Sequence, residues 1–328
     1  MSSERPRLVT VFFQRYPALS WHRPLMLLAV AMALLVVWSI AGMVVDDRTL
    51  TGLPIWAKSA KFALSVLIYA VTWAWLIAQL TRWRRTAWWA GTVAALGLAL
   101  ELVVIVTQIV RGTTSHFNFT TPVNAALWET MGSSIVVVWL ATLVVSVVLF
   151  VNPTADHARN AAIRCGTVLA LAGAALGLLM LRETPEQRAA GGSISGAHTV
   201  GLPDGGPGLP VLGWSTAGGD LRIPHFLGMH ALQVVPLVLL TVELAARRIP
   251  VLRSMQTRRT LVIIAAATYG AVLAVLTWQA LRGQSVVRPD AATLLAFAVI
   301  AVAATGSAIA ALRPKPIGLD RVPVGASR

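Results

Sequence analysis

The chain is built from long apolar runs that carry almost no charge. A run of about 18 or more such residues reads as a membrane-crossing helix, because about 20 residues at helical rise span the hydrocarbon of a bilayer. Eight runs qualify, at about 25–45, 55–80, 87–110, 123–150, 161–181, 223–245, 260–281 and 291–312. The strands of a membrane barrel would alternate apolar and polar residues, and runs such as Ile135 to Phe150 do not. The expected fold class is therefore all-α: a polytopic integral membrane helix bundle of about eight transmembrane helices. One transmembrane domain covers 1–328, with a long extracytoplasmic loop at 182–222 and a tail at 313–328.

Composition narrows the function classes. Of the 328 residues 56% are apolar and only 12% charged, with a mean hydropathy of +0.72. Soluble domains carry about 25% charged residues, so a soluble enzyme, a disordered chain and a coiled coil are excluded. The net charge of +14 would suit a nucleic-acid binder, but its placement argues otherwise. The two ends of the chain and loops 2–3, 4–5 and 6–7 hold 18 of the 27 Lys and Arg residues; the opposite loops hold 7, and Lys58 and Lys61 sit within the second span. Asp46, Asp47, Glu183, Glu186, Asp204, Asp220 and Asp290 lie in the Arg-poor loops. The positive-inside rule then places both termini in the cytoplasm of a cell membrane, with the lipid bilayer rather than nucleic acid as the partner. Arg far outnumbers Lys in an Ala- and Val-rich chain, which points to a GC-rich bacterial source. Ser39-Ile40-Ala41 fits a cleavage site for a secretory signal, but the apolar run continues to Val45, so the first span is expected to be retained. Cys165 is the only cysteine and forms no intrachain disulfide.

Some features break the pattern. Gly173-x-x-x-Gly177 permits close approach of a neighbouring helix, and Pro236 is expected to kink the sixth span. The 182–222 connection is out of proportion to the others. Its first part, Glu183 to Gly192, is polar and expected to be flexible. The rest combines turn formers with His198, Leu209 and Trp214 and is expected to be an ordered lid. It is no phosphate-binding P-loop, since no Gly-Lys-Ser/Thr follows the glycines.

The candidate chemistry gathers in one leaflet. His116, His198, His225 and His230 fall on the outer side, with Asp204 and Asp220 as acidic companions; these six are candidate ligand or metal-binding residues. Five residues of separation puts His225 and His230 on different faces of a regular helix, whereas His230 and Gln233 share one. Glu101, Gln108, Glu129 and Gln233 lie inside spans, where a polar group is costly and tends to mark a functional cavity. Lys58 and Lys61 sit one turn apart near the outer end of span two. They either snorkel to the interface or face inward with Arg222 to hold an anion, or pair with Glu129, Asp204 or Asp220.

The motifs Trp56-Ala-Lys58-Ser-Ala-Lys61-Phe62 and Ser115-His116-Phe117-Asn118, with the stretch from His198 to Gln233, resemble those of a group of bacterial polytopic membrane proteins without an assigned activity. The resemblance covers most of spans two to six and implies the fold class but no catalytic role. Three functions fit the residues. One is binding of haem b or a divalent metal by the outer histidines, with Lys58, Lys61 or Arg222 facing haem propionates. Another is transport of a small molecule or proton past Glu101 and Glu129. The third is a membrane-embedded enzyme acting on a lipid or periplasmic substrate. Histidine spacing matches no HExxH or C-x-x-C-H pattern, and the cofactor reading leads by a small margin.

Overall fold

The structure, a computed structural model, describes residues 21–183, 187, 189 and 193–313. The expected tail beyond Arg313 and most of the polar stretch Glu183 to Gly192 lie outside the described residues. Among the described residues nine α-helices follow one another: α1 (Arg23–Val45), α2 (Ala57–Ala78), α3 (Arg84–Val110), α4 (Pro122–Val151), α5 (His157–Ala175), α6 (Arg222–Met229), α7 (Ala231–Ala245), α8 (Met255–Leu281) and α9 (Ala291–Leu312). A 3₁₀ turn, Leu176–Leu181, continues α5. Among the described residues seven helices are long and apolar enough to cross a membrane, and α6 and α7, which meet at a bend of 51°, pass the same test together.

Local chemistry sets the helix starts. Thr121 caps α4 by accepting from the Asn124 N–H, with Pro122 at the first helical position. Asp156 caps α5 by accepting from the N–H groups of Ala158 and Arg159. His22 caps α1 through Nδ1 and donates from Nε2 to the Trp88 carbonyl, at 2.7 Å, so one ring both ends α1 and ties it to α3.

The helices pack in two groups. The first four pack mainly among themselves around Leu25, Trp73, Leu76, Leu102, Ile105 and Met131. The later helices surround a second core of Ala158, Ala162, Val235, Leu239, Val262 and Ala266. Contact of α4 with α5 is the main helix-to-helix seam between the groups. Across the rest of that seam α2 and α7 scarcely approach each other, and side chains bridge the gap. On one flank α9 packs mainly on α8, and among the described residues Thr293 is its one buried side chain.

Glycine sets the closest approaches. A Cβ on Gly173 would lie 2.3 Å from the Gly228 backbone, so α5 and α6 meet main chain to main chain. The bend in the sixth span falls at His230, at the junction of α6 and α7, rather than at Pro236, which the sequence singles out. Gly228 is pinned against α5 just before that junction, and the His230 N–H turns back to the carbonyls of Phe226 and Leu227. Pro236 sits within α7, which continues through it to Ala245.

The loop after α5 is an ordered cover over one end of the bundle. Strands β3 (Thr199–Val200) and β4 (Gly219–Asp220) pair antiparallel and close its base. Gly219 rests so near the Ala280 carbonyl of α8 that a Cβ there would lie 2.0 Å away. A bridge between Asn118 and Ile194 fastens the cover to the α3–α4 loop. The hairpin of β1 (Thr49–Leu50) and β2 (Leu53–Pro54) meets it from the other side, with Gly52 against the Gly205 carbonyl.

Gly173→Ala is expected to destabilise the protein by about 1–3 kcal/mol, because a methyl group must force two backbones apart. Gly132→Ala, with nothing within 4 Å of the new methyl, should leave stability unchanged or raise it. Thermal unfolding of the two variants in detergent checks this; equal midpoints would contradict the packing described.

Candidate functional site

The polar residues of the sequence converge where the two helix groups meet the cover. Lys58 and Lys61 lie in the first turns of α2, and neither snorkels outward. Lys58 Nζ lies 3.1 Å from His116 Nδ1, and Lys61 Nζ donates to the Leu212 carbonyl of the cover at 2.8 Å. The face that carries these lysines continues down α2 at helical spacing through Ser65 and Thr72. Ser65 meets His230 at 3.3 Å, and Thr72 accepts from Gln233 at 3.2 Å. Polar side chains thus line the seam between α2 and α7 well below the cover.

His116 is held by the short loop between α3 and α4. Phe117 has a φ of 58°, in the left-handed region that non-glycine residues seldom occupy. The loop is braced by Asn118, which donates to the Thr114 carbonyl and Thr113 hydroxyl and accepts from Thr120. The His116 ring packs against Trp128, Phe62 and Phe117, with centroids 5.3, 5.7 and 6.0 Å away. Its Nδ1 receives hydrogen bonds from Lys58 and Ser115, so the neutral ring carries its proton on Nε2. That Nε2 faces Glu101 Oε1 across 3.9 Å. Glu101 is 5% exposed, and its second oxygen has no hydrogen-bond partner. Burial, and then the neighbouring Lys58, hold the His116 pKa well below that of a free imidazole.

The second half of the site comes from the cover and α6. His198 lies beside His116, ring centroids 6.3 Å apart. Its Nδ1 donates to Asp204 at 2.5 Å. Asp204 also accepts from the backbone N–H groups of His198 and Thr199 and from the Thr199 hydroxyl. Burial pushes the Asp204 carboxyl up, but these donors outweigh it and hold the carboxyl below the usual carboxylate range. Burial lowers the His198 pKa against the pull of Asp204. Asp220 is fully buried and forms a two-pronged ion pair with Arg222, at 2.6 and 2.9 Å, while accepting from the Ser215 N–H. His225 Nδ1 donates to the Gly173 carbonyl at 2.9 Å. A carbonyl can only accept, so the neutral His225 ring, like that of His198, leaves Nε2 as a bare lone pair.

Two candidates fall elsewhere. Glu129 lies on the outer surface of the bundle, in an open groove with Leu100, Thr130, Ser133 and Ser134, away from Glu101 and Lys58. Gln108 is buried above Glu101 but serves the loop: it donates to the Thr114 carbonyl and to Asn124 and accepts from Arg111. Conversely, sequence reasoning passed over Ser65, Thr72 and the carbonyls of Leu212 and Gly213. The repeat of polar residues along α2 at intervals of three and four was the available signal for the first two. Among the described residues no three of His, Cys, Asp and Glu gather so as to hold a metal ion. Comparison with protein-family models, with curated proteins and with solved structures finds no match.

His198 and Asp204 both titrate below their ordinary values in the folded protein, so acid loosens the cover. Their contribution is complete above about pH 6.5, where an unfolded histidine is neutral, and falls as His198 and then Asp204 take up protons. Amide hydrogen exchange at His198 and Thr199, corrected for intrinsic rates, should speed up from pH 7.5 to pH 5, and Asp204→Ala should lose the protection at every pH. Protection that rises with acidity would contradict the assignment.

Proposed function

We propose that the protein is a multi-pass bacterial membrane protein, with the cover outside and both termini in the cytoplasm. It admits a small polar solute to the seam between its helix groups and moves a proton there. The charge distribution supports the orientation: Arg84, Arg85, Arg247, Arg248, Arg258 and Arg259 lie at the end of the bundle opposite the cover. The seam supports the solute path, because the polar pairs Ser65–His230 and Thr72–Gln233 cross it beside the apolar contact of Leu232.

The observation that carries this reading is the run Lys58–His116–Glu101. Lys58 donates to Nδ1 of His116, and Nε2 of the same ring faces a buried carboxyl with a free oxygen. Such a row passes one proton through the ring. The Lys58 ammonium gives a proton to Nδ1, and Nε2 gives its own to the Glu101 carboxylate. An ammonium and a carboxylate become a neutral amine and a neutral acid, and the imidazole changes tautomer. The 3.9 Å gap to Glu101 has to close to hydrogen-bond length for the second transfer. In a low-dielectric setting the charged and neutral forms of the row respond strongly to a charge placed beside Lys58. That is the basis for coupling solute binding to proton movement.

A second reading has one observation of its own. His198 and His225 are oriented through Nδ1 by a carboxylate and a backbone carbonyl, the way ligating histidines are commonly held. Both leave Nε2 for the iron of haem b. An absorption spectrum and metal analysis of the detergent-purified protein decide it: a visible band or bound metal lost in His198→Ala supports the cofactor, and the lack of both rejects it.

For the proton reading, proteoliposomes loaded with a pH-sensitive dye are given an acid outer medium, with charge compensated by potassium and valinomycin. Wild-type protein should acidify the lumen faster than empty vesicles. Glu101→Gln should slow this at least tenfold, and Glu129→Gln should leave it unchanged. A Glu101→Gln rate equal to wild type would falsify the relay.

A further inference from the structure

Lys61 and Arg222 are two cations from different elements, and both are bound by the same turn of the cover. Lys61 Nζ donates to the Leu212 carbonyl at 2.8 Å, and Arg222 Nη2 donates to the next carbonyl, that of Gly213, at 2.5 Å. Lys61 is in no ion pair among the described residues, so a backbone carbonyl is what faces its charge. Arg222 is paired with Asp220 through Nε and Nη2, and its Nη1 has no hydrogen bond among the described residues. The site holds more positive charge than its own carboxylate answers.

The turn that covers these cations is held in a costly shape. Val211 has a φ of 63° and Gly213 a φ of 66°. A β-branched residue rarely adopts the left-handed region. Three tight backbone hydrogen bonds close the turn: Leu209 N–H to Trp214, Leu212 N–H to Pro210 and Gly213 N–H to Leu209. Two successive carbonyls, each carrying only a partial charge, therefore sit where one oxyanion would present two full acceptors. Behind the turn, Trp214 packs edge-on against Phe226, at 5.9 Å, and Phe226 against His230, at 4.6 Å.

We propose that Lys61 and Arg222 form the entry site for a small oxyanion, a carboxylate or phosphate, and that the Leu212–Gly213 turn occupies this site in the resting protein. The anion replaces the two carbonyls, takes hydrogen bonds from Lys61 Nζ and the free Arg222 Nη1, and releases the turn from the α2 side. The cover then opens where the ligand binds, and Trp214 shifts against Phe226. This rests on the solute-binding reading above and names the chemical class of the solute.

The test uses the full chain in detergent, titrated with inorganic phosphate and, separately, with succinate, against sodium chloride at matched ionic strength. The reading is tryptophan fluorescence, with Trp214→Phe to isolate the reporting residue. Wild-type protein should show a saturable change with at least one of the two anions, lost in Trp214→Phe and absent with chloride. The anion that saturates identifies carboxylate or phosphate as the preferred ligand. Lys61→Gln keeps a donor for the Leu212 carbonyl but removes the charge, and should weaken the response at least tenfold, while Lys61→Arg should stay within about threefold of wild type. No saturable change with either anion, or an unchanged response in Lys61→Gln, overturns the proposal. Proton flux measured on the same wild-type preparation separates the two ideas. Anion binding without flux rejects the relay and leaves this site standing; flux without anion binding does the reverse.

Discussion

A polar group placed among apolar helices must find a partner, because no water is there to supply one. That constraint organises this molecule. The helices contain few polar side chains, and Lys58, Ser65 and Thr72 of α2 and Gln233 of α7 lie along the seam between the two helix groups. There they bond across the gap, Ser65 to His230 and Thr72 to Gln233. The α3–α4 loop and the cover bring His116 and His198 to the same seam, and Asp204 fixes the latter. Beside these hydrogen bonds Leu232 of α7 packs into the core of the first helix group.

The cover follows from the same constraint. Lys58 and Lys61 lie one turn inside α2, where a cation needs an answer. Lys58 finds it in His116 and, further off, Glu101; Lys61 finds it in the cover itself. The cover is pinned at its base by the β3–β4 pair and by Gly219 against α8; its Leu212–Gly213 turn is held by hydrogen bonds from Lys61 and Arg222 and rests on Leu53 and Phe226. A firm base with a tip held by two cations is an arrangement in which the tip can exchange for another acceptor while the base stays in place.

Much of the fold was legible in the sequence. Hydropathy located the seven long apolar helices and the bent α6–α7 pair, with ends displaced by a few residues, because the long apolar runs coincide with helices. The Gly173-x-x-x-Gly177 contact and the ordered cover were legible for local reasons, small residues and turn formers. The bend at His230 was not: it depends on Gly228 being wedged against Gly173, a contact between distant parts of the chain, whereas Pro236 was only the nearest local cue. The candidate site was legible as a list and not as a geometry. His116, His198, Lys58 and Glu101 do come together, but helix rotation places Glu129 on the outside of the bundle, and no spacing rule reveals which face of α4 is covered. The role of the Leu212 and Gly213 carbonyls has no sequence signal, since every residue carries a carbonyl.

The central element of the site is His116 as a neutral ring between Lys58 and Glu101. Nitrogen NMR of protein labelled with ¹⁵N-histidine in detergent, with His116→Gln to assign the signal, reads this directly. At pH 7 His116 should be neutral with its proton on Nε2, and its Nε2 shift should move when Glu101 is replaced by Gln. A charged His116 ring at pH 7, or a neutral one indifferent to the Glu101 substitution, would contradict the account.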